Sequence, residues 1–458
     1  MRKYGWVIAA AWMATLAAAP VAAEPVSRVT PVVLAYRAAR PAVVNISAEK
    51  LVQARWGLFG GDPFEDIFPS PFTRRVPVKS LGSGVVIHRD GYIVTNAHVV
   101  RHAEKISVTM PDQTKYAAKV ISTEVQHDLA VVQVLLPAGK KLPFLSLGRS
   151  DDLMVGETVI AIGNPLGYAN TLTTGVISAV DRTLRFRGDV EYSGLIQTDA
   201  PINPGNSGGP LLNIRGELIG VNTAIRADAQ NIGFAIPVAA VVEGLTKLLD
   251  FEQMNRVVFG AEVRQRHTPT GDELYVAAVR PGTPAAGRLQ KGDVLLALNG
   301  EALGQIPAYV CAMLTARPGT KLRLKARRAA RELETHVTLL AKPRPNGKIL
   351  AQRLFGVTLR EVTPKLAREL RLSVDQGLLV VGVDEGGPAD RLGVQLKDVL
   401  FQVGRHFVRD LDDLGLILEK VEPGQTVKIG IVRRNVRALA TLRTRRSASR
   451  RPDRGDAI

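Results

Sequence analysis

Between about residues 40 and 237 the hydrophobic positions fall in short Val- and Ile-rich runs. They are Val43 to Ser47, Val85 to His88, Ile106 to Met110, Leu129 to Leu135, Val159 to Ile162, Leu195 to Thr198, Leu211 to Ile214 and Leu218 to Asn222. Gly, Asp and Asn turns separate them, which predicts an all-β domain of short strands. Two small antiparallel barrels with a cleft between them fit that pattern. The segment Trp56 to Lys79, rich in Pro, Phe and Gly, interrupts it and reads as a long loop, its phenylalanines available as a lid or a docking element. From Val238 to Phe251 the apolar residues recur at helical spacing and predict a helix that closes the domain.

The remaining chain contains an approximate repeat. Pro281-Gly282-Thr283-Pro284-Ala285-Ala286 followed by Lys291-Gly292-Asp293-Val294-Leu295 recurs as Glu385-Gly386-Gly387-Pro388-Ala389-Asp390 followed by Leu396-Lys397-Asp398-Val399-Leu400. An offset of about 105 residues is too long for a solenoid unit and implies two copies of a small domain. The expected organisation is a leader at 1–23, a β-rich domain at 24–255, one small domain at 256–342, a Pro-rich linker at 343–350, the second small domain at 351–443 and a basic tail at 444–458. Each copy opens with a Phe-Gly pair before a strand, Phe259-Gly260-Ala261 and Phe355-Gly356-Val357. Backbone N–H groups left free in such a turn would hold the terminal carboxylate of a peptide while the strand edge pairs with its backbone.

Three short motifs in the β-rich domain carry chemistry: Thr95-Asn96-Ala97-His98-Val99-Val100, Gln126-His127-Asp128-Leu129-Ala130 and Pro204-Gly205-Asn206-Ser207-Gly208-Gly209-Pro210. A serine hydroxyl attacks only when an imidazole takes its proton, and that imidazolium needs a buried carboxylate to orient it. His98, Asp128 and Ser207 are the candidates. Of the nearby acids only Asp128 opens an apolar strand, where a carboxylate would be buried and would require a partner. His98 follows a strand at a corner made by small Ala97, whereas His88 and His102 beside charged neighbours read as surface residues. The N–H groups of Gly205, Asn206 and Ser207 are the candidate oxyanion donors. The serine also fits the nucleophile elbow of α/β-hydrolases, but that fold places acid and histidine after the serine. Here they precede it, in the order His, Asp, Ser of double-barrel proteases.

Composition agrees with an exported, multidomain hydrolase. Residues 1–23 carry Arg2 and Lys3, an apolar run from Trp6 to Ala19 and small residues before Glu24, the pattern of a signal peptide cleaved after Ala23. An uncleaved anchor is the alternative, with a stretch short for a membrane span. Cys311 is the only cysteine, so no internal disulfide can form. No Cys/His cluster has zinc spacing and no acidic loop has calcium spacing, so no metal or other cofactor is expected. The formal charge of +17 is diffuse apart from Arg327-Arg328 and the arginines from Arg443 onward. That tail lacks aromatics, which argues against nucleic-acid recognition and leaves at most weak contact with anionic membrane surfaces.

TNAHVV, DLA, the run from Thr198 through Leu211 (TDAPINPGNSGGPL) and NIGFAIP from Asn231 to Pro237, taken together, resemble the HtrA family of DegP/DegQ-type proteases over nearly the whole chain. The resemblance implies a chymotrypsin-like double β-barrel followed by two PDZ domains. It implies a periplasmic, ATP-independent serine endopeptidase for unfolded envelope proteins, a homotrimer or a multiple of one, regulated by peptides at the PDZ domains and able to act as a chaperone. By the same likeness Ile202 and Ile225 line the primary specificity pocket, so cleavage after small aliphatic residues is expected. Arg182 falls where the family senses activation. The Phe-rich loop lacks the cysteine pair of some relatives, and Ala261 stands where many carry a larger aliphatic residue.

Overall fold

The computed structural model describes residues 28–55, 73–101, 103–124, 126–163, 170–185, 191–203, 205–223, 231–404 and 406–445. The expected leader, residues 56–72 of the Phe-rich segment, His102, residues 186–190, Ile225 and nearly all of the basic tail lie outside them. Contacts divide the chain into two units, Met1–Leu340 and Ala341–Ile458.

In the first unit, helix α1 (Pro31–Ala39) leads into six strands: β1 (Val43–Arg55), β2 (Thr73–His88), β3 (Tyr92–Asn96), β4 (Lys105–Thr109), β5 (Lys115–Glu124) and β6 (Leu129–Val134). They close into a barrel in the order β1-β2-β3-β6-β5-β4. A one-turn helix, α2 (Ala97–Val100), follows β3. The second barrel comprises β7 (Thr158–Gly163), β8 (Thr171–Arg185), β9 (Glu191–Thr198), β10 (Pro210–Asn213), β11 (Leu218–Thr223) and β12 (Gly233–Pro237), closed as β10-β11-β12-β9-β8-β7. All five residues of β3 are buried, because one face fills its barrel and the other is covered. Strand β5 alternates exposed and half-buried positions, as a solvent-facing wall does.

Two details of the first barrel depart from the sequence reading. Strand β2 begins at Thr73 and pairs with β1 from Arg55↔Thr73 to Val43↔Val85, so residues 73–79 are strand and not loop. His88, read as a surface residue, is 8% exposed. It ends β2 beside Tyr92 and Phe144, and burial pushes its pKa down against the opposing pull of Asp90.

The closing helix α3 (Val238–Leu248) buries Val238, Val241, Leu245 and Leu248, a spacing that puts them on one face. Each such side chain contributes roughly 1.5–3 kcal/mol when fully buried. The expected helix to Phe251 stops short at Leu248. Asp250 starts a separate turn, α4 (Phe251–Met254), by accepting the Gln253 N–H on its carboxylate at 3.1 Å. Glu252 lies in the first turn of α4.

The first repeat follows as β13 (Val257–Val258), β14 (Ala261–Thr268), β15 (Gly271–Val279), β16 (Val294–Leu298), β17 (Glu301–Ala302), α5 (Ile306–Met313), β18 (Lys321–Arg328), β19 (Arg331–Thr338) and β20 (Leu340–Ala341). Its main sheet runs β14-β15-β16-β18-β19, leaving β14 at an edge. Gln305 ties it to the segment that joins the two barrels: its side-chain amide donates to the Leu147 carbonyl at 2.7 Å and accepts the Leu147 N–H at 2.9 Å.

The second unit repeats the plan with α6 (Gly347–Phe355), β21 (Val357–Glu361), α7 (Pro364–Glu369), β22 (Leu378–Val383), α8 (Pro388–Arg391), β23 (Val399–Val403), β24 (His406–Phe407), α9 (Leu411–Leu418), β25 (Thr426–Arg433) and β26 (Val436–Arg443). The sheet order β21-β22-β23-β25-β26 matches that of the first copy. The repeated aspartates have one purpose: Asp293 is forked by Arg328 and Asp398 by Arg433, all four bonds at 2.7–2.8 Å. The expected linker 343–350 does not stay a linker. Asn346 caps α6 through the Ile349 N–H at 3.0 Å, and from Gly347 onward the chain packs into the second unit. Among the described residues no helix is long and apolar enough to cross a membrane.

Candidate active site

The first barrel supplies a histidine and a carboxylate from neighbouring strand ends. β3 pairs with β6 through Asn96↔Leu129, which brings α2 and the residue before β6 side by side. Asp128 adopts a left-handed backbone, φ +52°, a conformation Asp tolerates better than most residues. Its carbonyl accepts the Ala97 N–H at 2.9 Å and the Asn96 amide at 3.2 Å, so the unusual backbone is fixed from the α2 side. Its carboxylate is then turned back onto the histidine. Oδ2 lies 2.7 Å from His98 Nδ1 and Oδ1 accepts the His98 backbone N–H at 3.0 Å. Thr223, the last residue of β11 in the second barrel, donates its hydroxyl to Oδ2 at 3.4 Å.

Asp128 is 7% exposed, whereas the His98 side chain stays about half exposed toward the cleft. An ionised carboxylate only accepts, so the proton between them belongs to Nδ1. Nε2 is left as the basic nitrogen. The neighbouring His127 is directed elsewhere, with Nδ1 3.0 Å from Glu124 Oε1.

The second barrel supplies the serine from the turn that precedes β10. Ser207 is 5% exposed, and its carbonyl accepts the Ser83 N–H of β2 at 2.8 Å. The Ser83 hydroxyl donates to the Gly205 carbonyl at 2.6 Å. The Gly208 N–H reaches the Asn222 carbonyl at 2.8 Å, and Asn222 N–H reaches the Gly209 carbonyl at the same distance. Gly205 and Gly208 both have positive φ, +102° and +82°, which L side chains rarely adopt. The turn is thus locked onto both barrels at the cleft. Asn206 is buried within it, and its N–H, expected among the oxyanion donors, is turned away to the Asn203 carbonyl at 2.9 Å.

The other expected site residues fall as follows. Ile202 is half-buried against the wall of the second barrel, where Gly233 has no Cβ to displace it. Arg182 lies exposed on β8 with its Nε donating to Gln197 at 2.9 Å. The two glycine turns differ from expectation. The N–H groups of Phe259 and Gly260 are not free: both donate to Oε1 of Glu252, at 2.8 and 2.7 Å. In the second copy the Gly356 N–H closes α6 by donating to the Ala351 and Gln352 carbonyls at 3.1 Å. Phe355 belongs to the last turn of that helix, where N–H groups point back along the axis. A left-handed glycine that ends a helix spends its N–H on the helix carbonyls, and that competes directly with anion binding. Ala261 and Val357 open the adjoining edge strands.

The sequence reading passed over Thr223, Ser83 and Glu252. Thr223 and Ser83 lie far from the motifs they brace, and only barrel closure brings them near. The Asp250-Phe251-Glu252-Gln253 run did hold a signal, a helix start inside an apparent helix.

A histidine, a buried carboxylate and a serine in a glycine-locked turn between two β-barrels define the class: a trypsin-like serine peptidase, here carrying two appended β-sheet modules. Residues 82–221 match the trypsin-like peptidase domain family, and residues 275–328 and 354–444 each match a PDZ domain. A probable periplasmic serine endoprotease, DegP-like, from Chlamydia trachomatis is 39% identical over 352 residues, covering 74% of this chain and 69% of its own length. The periplasmic pH-dependent serine endoprotease DegQ of Escherichia coli is 33% identical over 400 residues, covering 82% and 84%. Among solved structures, an HtrA-type protease AlgW with a decapeptide is 34% identical, covers 68% of this chain and 98% of its own, and superposes with a TM-score of 0.39. The chain belongs to the HtrA family of periplasmic serine endoproteases, of the DegP/DegQ type. It is a serine endopeptidase.

Proposed function

We propose that this endopeptidase degrades unfolded or damaged envelope proteins without ATP, cutting after small aliphatic residues. His98 acts as general base, Asp128 orients it, Ser207 attacks, and the N–H groups of Gly205 and Ser207 stabilise the oxyanion. The 2.7 Å contact between His98 and the buried carboxylate of Asp128 carries this reading, since it sets the tautomer that a serine nucleophile requires. Comparing casein cleavage by the intact protein and by Ser207→Ala tests it. Holding an unfolded chain is the first half of the same event, and the Ser207→Ala variant isolates it: a holding role requires that this variant still suppress aggregation of unfolded casein.

Specificity rests on Ile202 and Ile225. Both are apolar, and an unpaired ammonium buried against them would be costly. Cut sites mapped by mass spectrometry in an unfolded substrate are expected after Val, Ala, Ile or Leu; a majority after Lys or Arg refutes the assignment.

We place peptide regulation on the edges of β14 and β21, which can add a strand. Arg182 is the proposed relay, and the assembly is proposed as a trimer or its multiple. Arg182→Ala is expected to lower peptide-stimulated cleavage several-fold with little change in peptide affinity, because coupling between sites is separate from binding at either. Full stimulation of the variant rules the relay out.

A further inference from the structure

The glycine turn of the first PDZ module already has an occupant. Its four backbone groups are all spoken for: Phe259 N–H and Gly260 N–H converge on Glu252 Oε1, while the Phe259 and Gly260 carbonyls accept the Ala285 and Arg280 N–H groups at 2.9 and 2.8 Å. Two N–H groups closing on one carboxylate oxygen is the geometry expected for a captured peptide C-terminus. Here the carboxylate comes from the chain itself.

Glu252 is held there from several sides. Its second oxygen is paired with the Arg280 guanidinium. The residue before it, Phe251, is wedged against Phe259 and Tyr309, each at a ring separation of 6.2 Å. The residue before that, Asp250, starts the α4 turn. After it, the Asn255 amide donates to the Leu314 carbonyl at 2.9 Å, just past the end of α5. The Glu252 side chain is only 17% exposed. Beside it a groove of about 300 Å³ remains, lined by Ala261, Val263, Ala278 and Val310 together with Leu249 and Thr246 of the α3 end.

We infer that Glu252 is the specificity-determining residue of the first PDZ module: as an internal carboxylate it bars peptide C-termini and leaves the groove to extended segments that have no terminal carboxylate to offer. A tethered group competes at an effective concentration on the order of millimolar or higher, far above that of a dilute peptide, and Glu252 is positioned more tightly than a flexible tether would hold it. Two charge-assisted bonds to the turn are thereby withdrawn from any ligand. The inference rests on reading this module as the peptide-binding PDZ domain of the proposed function. Whether either probe form protects the β14 edge at all reports on that reading, separately from the preference between the two forms.

The test uses the full chain with Ser207→Ala to prevent cleavage of the probe. The probe is a fluorescent hexapeptide ending in valine, as free acid and as C-terminal amide. Hydrogen exchange of the segment 257–263 reports on the first module and that of 351–360 on the second. Without further change, the two probes are expected to leave exchange at 257–263 alike. Glu252→Ala is expected to raise exchange at 257–263, to bind the free acid at least tenfold more tightly than the amide, and to recover protection there only with the free acid. Arg280→Met, which removes one restraint on Glu252, is expected to move part of the way. A tenfold preference of the unaltered first module for the free acid, with protection at 257–263, overturns the inference. So does a folded Glu252→Ala protein that gains no preference. If Glu252→Ala does not fold, Glu252→Gln and the unaltered protein decide the matter by the same readouts.

Discussion

Replacing Ser207 by alanine is expected to abolish casein cleavage, by on the order of 10⁴-fold or more in turnover, and to leave the melting profile in place. The three groups act as a unit, so His98→Ala and Asp128→Ala should each cost a comparable factor. Asp128→Asn is the more telling variant. The amide fills the same space, yet it can donate to Nδ1 and so stabilise the tautomer whose Nε2 carries the proton. The serine would then face a donor instead of a base, a loss again of about 10⁴-fold. Thr223→Val removes only the longest of the contacts to the carboxylate, 3.4 Å, and one whose donor is neutral. Roughly a tenfold effect is expected there, in line with a net bond to a charged group of about 1.5 kcal/mol. Initial rates on casein, with circular dichroism to confirm folding, decide the series. Activity above one part in a hundred in Ser207→Ala would remove Ser207 from the role of nucleophile.

The double barrel was legible because its signal is local. Strands such as Ile93-Val94 and Leu129-Val132 are apolar without interruption where both faces are covered, and glycine turns punctuate them. The order of His98, Asp128 and Ser207 along the chain separated this architecture from the α/β-hydrolase alternative before any geometry was known. The PDZ repeat was legible from the spacing of Asp293 and Asp398, whose buried pairing with Arg328 and Arg433 explains why the motif recurs. What stayed hidden was the destination of backbone donors. Phe259-Gly260 and Phe355-Gly356 look alike in sequence, yet one turn is capped by a carboxylate from a preceding helix and the other terminates a helix of its own. Helix boundaries caused both errors. Asp250 broke α3 early, and Asn346 started α6 inside an apparent linker. Each is an N-cap, a signal carried by one residue and easily outweighed by the apolar period or the prolines around it.

Gly208→Ala is expected to damage both the stability of the double barrel and its cleavage activity. The backbone there has φ +82°, which costs an L residue about 1–2 kcal/mol. The added Cβ would also lie 2.2 Å from Thr95 Oγ1 and 2.3 Å from the Ser83 carbonyl, two atoms already joined by a 2.7 Å hydrogen bond. Neither can retreat easily, because Ser83 also braces Ser207 and Gly205. Relieving such overpacking typically costs about 1–3 kcal/mol more. The protease unit is therefore expected to lose ~3 kcal/mol, or roughly 6–12 °C in melting temperature. Cleavage should fall by on the order of 100-fold, since the serine turn must shift against the barrel that carries His98. Gly194→Ala supplies the control. Its φ is +73°, but the nearest atom to the added Cβ is 4.0 Å away, so it carries the backbone cost without the clash. It should lose about 1–2 kcal/mol and keep nearly full activity. If the two variants melt and cleave alike, the close approach of Gly208 to Thr95 and Ser83 is not what seats the serine.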